Sequence, residues 1–192
     1  MFGLNSALAQ QTQSTTDREL PRFEIGAQFS SLSENYQGDR AGFGGRLTFN
    51  VNHHFALEAE SNFFPGKRFD GRAAQSLFGV KAGQRWSKFG IFGKARPGFV
   101  YSSRGKYELS GTLQNPAHKI SGRTNPLLDL GGVVEFYPTK RIITRFDAGD
   151  TIIRISGVNF YSFDQNGNVR SFEAPATIRH NFQFSAGIGF RF

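Results

Sequence analysis

Glu58 and Glu60, Lys94 and Arg96, and Arg145 and Asp147 each stand two residues apart in this chain of 192 residues. That spacing puts both members of a pair on one face of an extended strand. The same phase, followed through neighbouring segments, adds Glu24, Arg46, Lys81, Arg85, Asp129, Glu135 and Arg191. Acids and bases in near balance on one face neutralise each other where water is excluded, so the expected chemistry is a linked charge network. Short turns predict its pairings. A turn at Asn52-His53-His54 sets Val51 against Phe55, Phe49 against Leu57, Thr48 against Glu58 and Arg46 against Glu60. A turn at Trp86-Ser87-Lys88 sets Lys81 beside Lys94. Those two cations then need acids from their other neighbours, Glu58 or Glu60 on one side and Asp129 or Glu135 on the other.

Other chemistry finds little to work with. Cys is absent, which removes thiol nucleophiles, disulfides and Cys-based metal sites. His53 and His54 are adjacent at a strand end, point to opposite faces and have no evident third ligand, so they read as a polar turn. Asp164-Gln165-Asn166-Gly167-Asn168 has the oxygens of a Ca²⁺ loop, but no bidentate Glu closes it and Glu173 lies too far along. A hairpin turn at Asn166-Gly167, between Phe160–Phe163 and Val169–Phe172, is the simpler reading. No Gly-rich phosphate loop occurs. Neither a cofactor, nor a metal, nor a catalytic residue is expected. The net charge of +8 raises a nucleic-acid partner. The bases are scattered, however, with no basic helix and no aromatic single-strand-binding motif, so none is expected. Bases do outnumber Asp70 and Glu108 in two long links, at Lys67, Arg68, Arg72, Arg104, Lys106, Lys119 and Arg123. Such links suit contact with an anionic surface polymer.

The elements that must position these groups are strands. Period-two alternation recurs eight times from about residue 21. The apolar faces run Phe23 to Phe29, Phe43 to Val51, Phe55 to Phe63, Phe78 to Ala82, Phe89 to Tyr101, Leu128 to Phe136, Ile142 to Ala148 and Phe182 to Phe192. None of these positions carries a charge. Asp150 would be the first exception if its strand continues, and is expected at the rim. The opposite face mixes the charges with Gly44, Gly79, Gly83, Gly98, Gly131, Gly149, Gly187 and Gly189. Gly weakens a water-facing strand for no return, whereas a narrow lumen needs small residues beside long ones. The charged face is therefore expected inside and the apolar face outside. Mean hydropathy is −0.39 and no apolar run is long enough for a membrane helix. A transmembrane barrel is compatible with that value, because only alternate residues meet lipid. The predicted fold is all-β, an eight-stranded antiparallel up-and-down transmembrane barrel over 21–192.

Short links (52–54, 86–88, 138–140) alternate with longer ones (33–40, 65–73, 102–125, 155–178), as in outer-membrane barrels with periplasmic turns and termini. Pro97 lacks a ladder donor in a barrel without a free edge, so a bulge or irregularity is expected there. Ala7-Leu8-Ala9 has the form of a signal-peptidase site. It predicts a residual, cleaved signal-peptide end at 1–9 and a polar lead at 10–20.

The alternating last strand, ending Gly187-Ile188-Gly189-Phe190-Arg191-Phe192, and Thr144–Asp150 before it resemble the small outer-membrane barrels of the outer-membrane protein A and porin-like families. The resemblance implies insertion in the bacterial outer membrane among lipid and lipopolysaccharide. It also implies that Phe190 and Phe192 form the signal read by the barrel-assembly machinery. Lipid A deacylases of this architecture carry a His-x-Ser pair, but His180 is followed two residues on by Phe182, so no enzyme is expected. The expected function is a structural or surface-interaction role through the outer loops, with the charge network plugging the lumen. A narrow porin-like channel is the alternative.

Overall fold

The computed structural model describes residues 21–34, 38–66, 71–112, 115–163 and 168–192. The expected signal-peptide end and lead, Lys67, Arg68, Asp70 and the Asn166-Gly167 turn lie outside the described residues, as do the side chains of Arg104, Lys106, Glu108 and Lys119.

Alternation becomes ten strands: β1 (Phe23–Glu34), β2 (Gly38–Asn50), β3 (Phe55–Phe64), β4 (Ala73–Arg85), β5 (Phe89–Thr112), β6 (Asn115–Phe136), β7 (Ile142–Ile155), β8 (Val158–Phe163), β9 (Val169–Ala174) and β10 (Thr177–Arg191). Eight of them close a barrel in the order β1-β10-β7-β6-β5-β4-β3-β2, while β8 and β9 form a separate hairpin. Every pairing is antiparallel. The eight-stranded up-and-down barrel is thus the observed fold. Its seam closes where Glu24 faces Arg191, and Phe23 and Phe192 exchange backbone hydrogen bonds of 3.0 and 2.9 Å.

The three short turns lie as expected. Val51 N donates to Phe55 O at 3.0 Å and Trp86 N to Phe89 O at 2.8 Å. Two of the longer links are shorter than expected, because pairing runs on past the apolar pattern. β1 and β2 stay paired out to Glu34 and Gly38, leaving only 35–37 between them. β5 and β6 stay paired to Thr112 and Asn115, with a register shift between Ser102 and Lys106. At 24 and 22 residues these strands are about twice the length that crosses a bilayer.

Pro97 causes an irregularity but no bulge. The ladder between β4 and β5 skips Phe78 and Gly79, yet Leu77–Gly98 and Val80–Ala95 are in the same register. Pro97 keeps its pairing with Leu128 on the other side. The missing N–H therefore costs one local gap, and the side chain faces outward.

Burial shows which way the barrel is turned. Leu47 and Ile188 are 57% and 58% exposed, whereas Arg96 and Lys81 are fully buried. Glycines on the concave face sit where strands crowd most. A Cβ on Gly131 would lie 2.6 Å from Gly149 Cα, and one on Gly149 would lie 2.8 Å from Gly131 Cα. On the convex face, a Cβ on Gly132 would meet nothing closer than 3.9 Å.

Candidate functional site

The lumen is built in layers, one strand position after another. In the middle lie the charges. Lys94 Nζ meets Asp147 at 2.7 Å and Asp129 at 3.0 Å. Arg96 joins Glu60 and Asp129, each at 2.6 Å. Arg145 grips Glu58 with both terminal nitrogens and Asp147 with Nε at 3.1 Å. Lys81 bonds Glu135, with Glu58 at 3.5 Å and Glu24 at 3.9 Å. Arg85 stands 3.6 Å from both Glu24 and Glu135. The lumen thus brings together eleven predicted charges, Glu24, Glu58, Glu60, Lys81, Arg85, Lys94, Arg96, Asp129, Glu135, Arg145 and Asp147, and all make ion pairs.

Two predicted members behave differently. Arg46 faces inward and stands opposite Glu60, as the turn count required. Its hydrogen bond nevertheless goes to Gln28 Oε1 at 3.1 Å, because Arg96 has taken Glu60. Arg191 turns toward the barrel mouth, donating to the carbonyls of Lys140 and Thr139 at 3.1 and 3.3 Å. Its guanidinium lies over the Tyr137 ring, 4.1 Å from the centroid. Lys81 and Lys94 are paired as counted, and acids from other strands separate their charges.

Two further layers escaped the sequence reading. Toward the long-loop end an amide belt links Gln28, Asn62, Gln75 and Gln183 by bonds of 2.9 to 3.2 Å. Ser30, Ser185 and Thr151 join it. Beyond the belt, Leu32, Phe64, Ala73, Leu77, Val100, Leu127 and Ile153 form a buried apolar cluster inside the barrel. Apolar doublets carried that signal: Phe63-Phe64, Leu77-Phe78, Phe99-Val100, Leu127-Leu128 and Ile152-Ile153. Adjacent strand residues point to opposite faces, so each doublet puts one apolar group inside.

Among the described residues, β7 breaks the charge-free pattern of the outer wall, at Asp150 and again at Arg154. β7 continues regularly to Ile155, so Asp150 is not at the strand end. It faces outward and bonds His180 Nδ1 at 2.5 Å. Phe182, at the position a serine would need, also points outward. Among the described residues no His/Cys/Asp/Glu group could hold a metal ion. Of the basic links, Arg72 and Arg123 flank the same stretch of β5. Arg72 N donates to Ser103 Oγ at 2.8 Å, and Arg123 pairs with Ser102.

Phe190 and Phe192 lie on the outer surface at the turn end, their rings 6.5 Å apart, with Phe23 6.1 Å from Phe192. Trp86 and Phe89 stack at 4.6 Å at the same end. Aromatic rings at this level match the girdles of membrane barrels.

No protein-family model matches the chain, and no curated protein matches it. The solved structures it is similar to include small outer-membrane barrels. The N-terminal barrel domain of Pseudomonas aeruginosa OprF has a TM-score of 0.48 at 8% identity, over 88% of this chain and 97% of that one. Neisserial surface protein A has a TM-score of 0.48 at 13% identity, over 88% and 96%. The attachment invasion locus protein of Yersinia pestis has 0.44 at 14% identity, over the same shares.

Proposed function

We propose that this chain is an integral barrel of the bacterial outer membrane with a closed lumen, acting through its long-loop end. The observation that carries the reading is the inversion of the barrel. Apolar side chains such as Phe43, Leu47, Phe78 and Ile188 cover the outside, while Arg96, Arg145 and Lys81 are among the largest fully buried side chains. Water would favour the reverse, and hydrocarbon demands this arrangement. Termini and short turns then belong on the periplasmic side, and β5, β6 and the β8–β9 hairpin reach outward. Closure follows from the filling of the lumen by ion pairs, amides and an apolar cluster in succession. The long-loop end, with Arg72 and Arg123 among its described bases, is the surface for phosphates of lipopolysaccharide or another anionic polymer. Phe192 is the element the assembly machinery reads.

A narrow solute channel is the second reading, favoured by a basic mouth at the turn end. One preparation tests both. After outer-membrane fractionation, the unheated chain should migrate faster on a gel than the boiled chain. In a planar bilayer it should conduct no measurable current. A soluble chain would refute membrane residence, and steady anion-selective conductance would replace closure by the channel.

A further inference from the structure

The turn end of the barrel opens into a recess of about 930 Å³. Arg85, Lys88, Lys140, Arg191 and His53 line it together with Tyr137, and among the described residues no carboxylate lines it. Glu24 and Glu135 are engaged by Lys81, and each also stands 3.6 Å from Arg85. Arg85 belongs to the lumen network, but Lys88, Lys140 and Arg191 give the recess positive charge beyond it.

The guanidinium groups are fixed in place. Arg85 is 6% exposed in its side chain. Its Nε donates to Tyr137 Oη at 3.0 Å and its Nη2 to Asn50 Oδ1 at 2.9 Å. Its Nη1 is buried and has no hydrogen-bond partner. A buried donor left unpaired is costly, the more so on a charged group. Arg191 is fixed through Nε and Nη2 to the carbonyls of the turn. Both cations lie over one ring, 5.8 and 4.1 Å from the Tyr137 centroid. Two like charges held against one aromatic ring repel each other. An oxyanion beside them would relieve that repulsion and accept from guanidinium N–H groups.

We infer that this recess is an oxyanion-binding site, taking phosphate or a phosphate monoester. Arg85 and Arg191 grip the oxygens, Lys88 and Lys140 add charge from the turns, and Tyr137 forms the floor. Four positive groups suit a dianion better than a single carboxylate. The site is at the opposite end from the basic loops and does not depend on what they bind.

The test uses the full chain folded in detergent micelles and titrated by calorimetry with inorganic phosphate, glycerol phosphate or acetate. Saturable binding of one phosphate per chain, with acetate much weaker, is the expected result. Glycerol phosphate binding as well as phosphate assigns the site to esterified ligands; phosphate alone assigns it to the free ion. Arg85→Gln removes the central grip but also an Arg–Glu contact. The variant that keeps the test secure is therefore Lys88→Gln with Lys140→Gln, both exposed on turns. It should keep the heat-modifiable mobility and weaken phosphate binding at least about tenfold, the loss expected for one charge-assisted contact. Arg72→Gln at the other end should change nothing. Absence of saturable binding, or binding that follows Arg72 and ignores the lysines, would overturn the assignment.

Discussion

Arg46 and Glu60 face each other across β2 and β3, yet each answers to another partner. Strand register sets which Cα atoms are neighbours. In a lumen narrower than two extended side chains, long groups reach past those neighbours. Arg96 on β5 reaches Glu60 on β3, Lys81 on β4 reaches Glu135 on β6, and Arg145 on β7 reaches Glu58 on β3. Counting along strands could therefore name the members of the network but not its bonds. The difference has an energetic consequence. Arg96→Met leaves Glu60 and Asp129 without their closest cation, and breaking such a buried pair costs about 3–5 kcal/mol. Arg46→Met removes one bond to an amide, about 1.5–3 kcal/mol at most for a bond to a charged donor. Urea titration of the folded barrel, read by gel mobility, should place the Arg96 variant well below the Arg46 variant. Equal midpoints would show that the network acts as a diffuse field and not through these contacts.

Strands are where the sequence was most readable and also where it misled. Period two identified all eight barrel strands and their facing, because burial reverses with every residue. The ends were harder. β1 and β2 pair beyond Phe29 and Phe43, out to Glu34 and Gly38, with little apolar pattern to mark them. There the backbone ladder continues with Leu32 as its one large apolar side chain, too little for alternation to record. The apolar doublets at the long-loop end broke the simple rule of polar inside. They did so because that end of the lumen is sealed by hydrocarbon, Leu77 and Phe64 being fully buried. On the outer face the rule holds firmly enough to test. Leu47→Arg and Ile188→Arg each put a charge on the lipid side and should cost about 2–4 kcal/mol near the midplane. Stability measured in phospholipid vesicles should fall by that amount; unchanged stability would mean these faces do not meet lipid.

Taken as one object, the molecule is a ring that exists only when its first and last strands meet. Phe192 is part of that seam through its two backbone bonds to Phe23 and its ring contacts with Phe23 and Phe190. Deleting Phe192, or changing it to Asp, should lower the amount of heat-modifiable barrel in the outer membrane; full assembly of either variant would contradict its role. What defines the ring is its inversion, charges within and apolar groups outside. The chain has no Cys, so single cysteines can carry a spin label at chosen positions. Labels at Leu47, Phe78 and Ile188 of the barrel in lipid vesicles report collisions with apolar oxygen and with a water-soluble nickel chelate. Strong oxygen contact and shielding from nickel are expected at all three, with no labelling of the folded barrel at Thr48 or Gln183, which are buried. Nickel contact at the three outer positions, together with ready labelling at the two inner ones, would contradict the inversion.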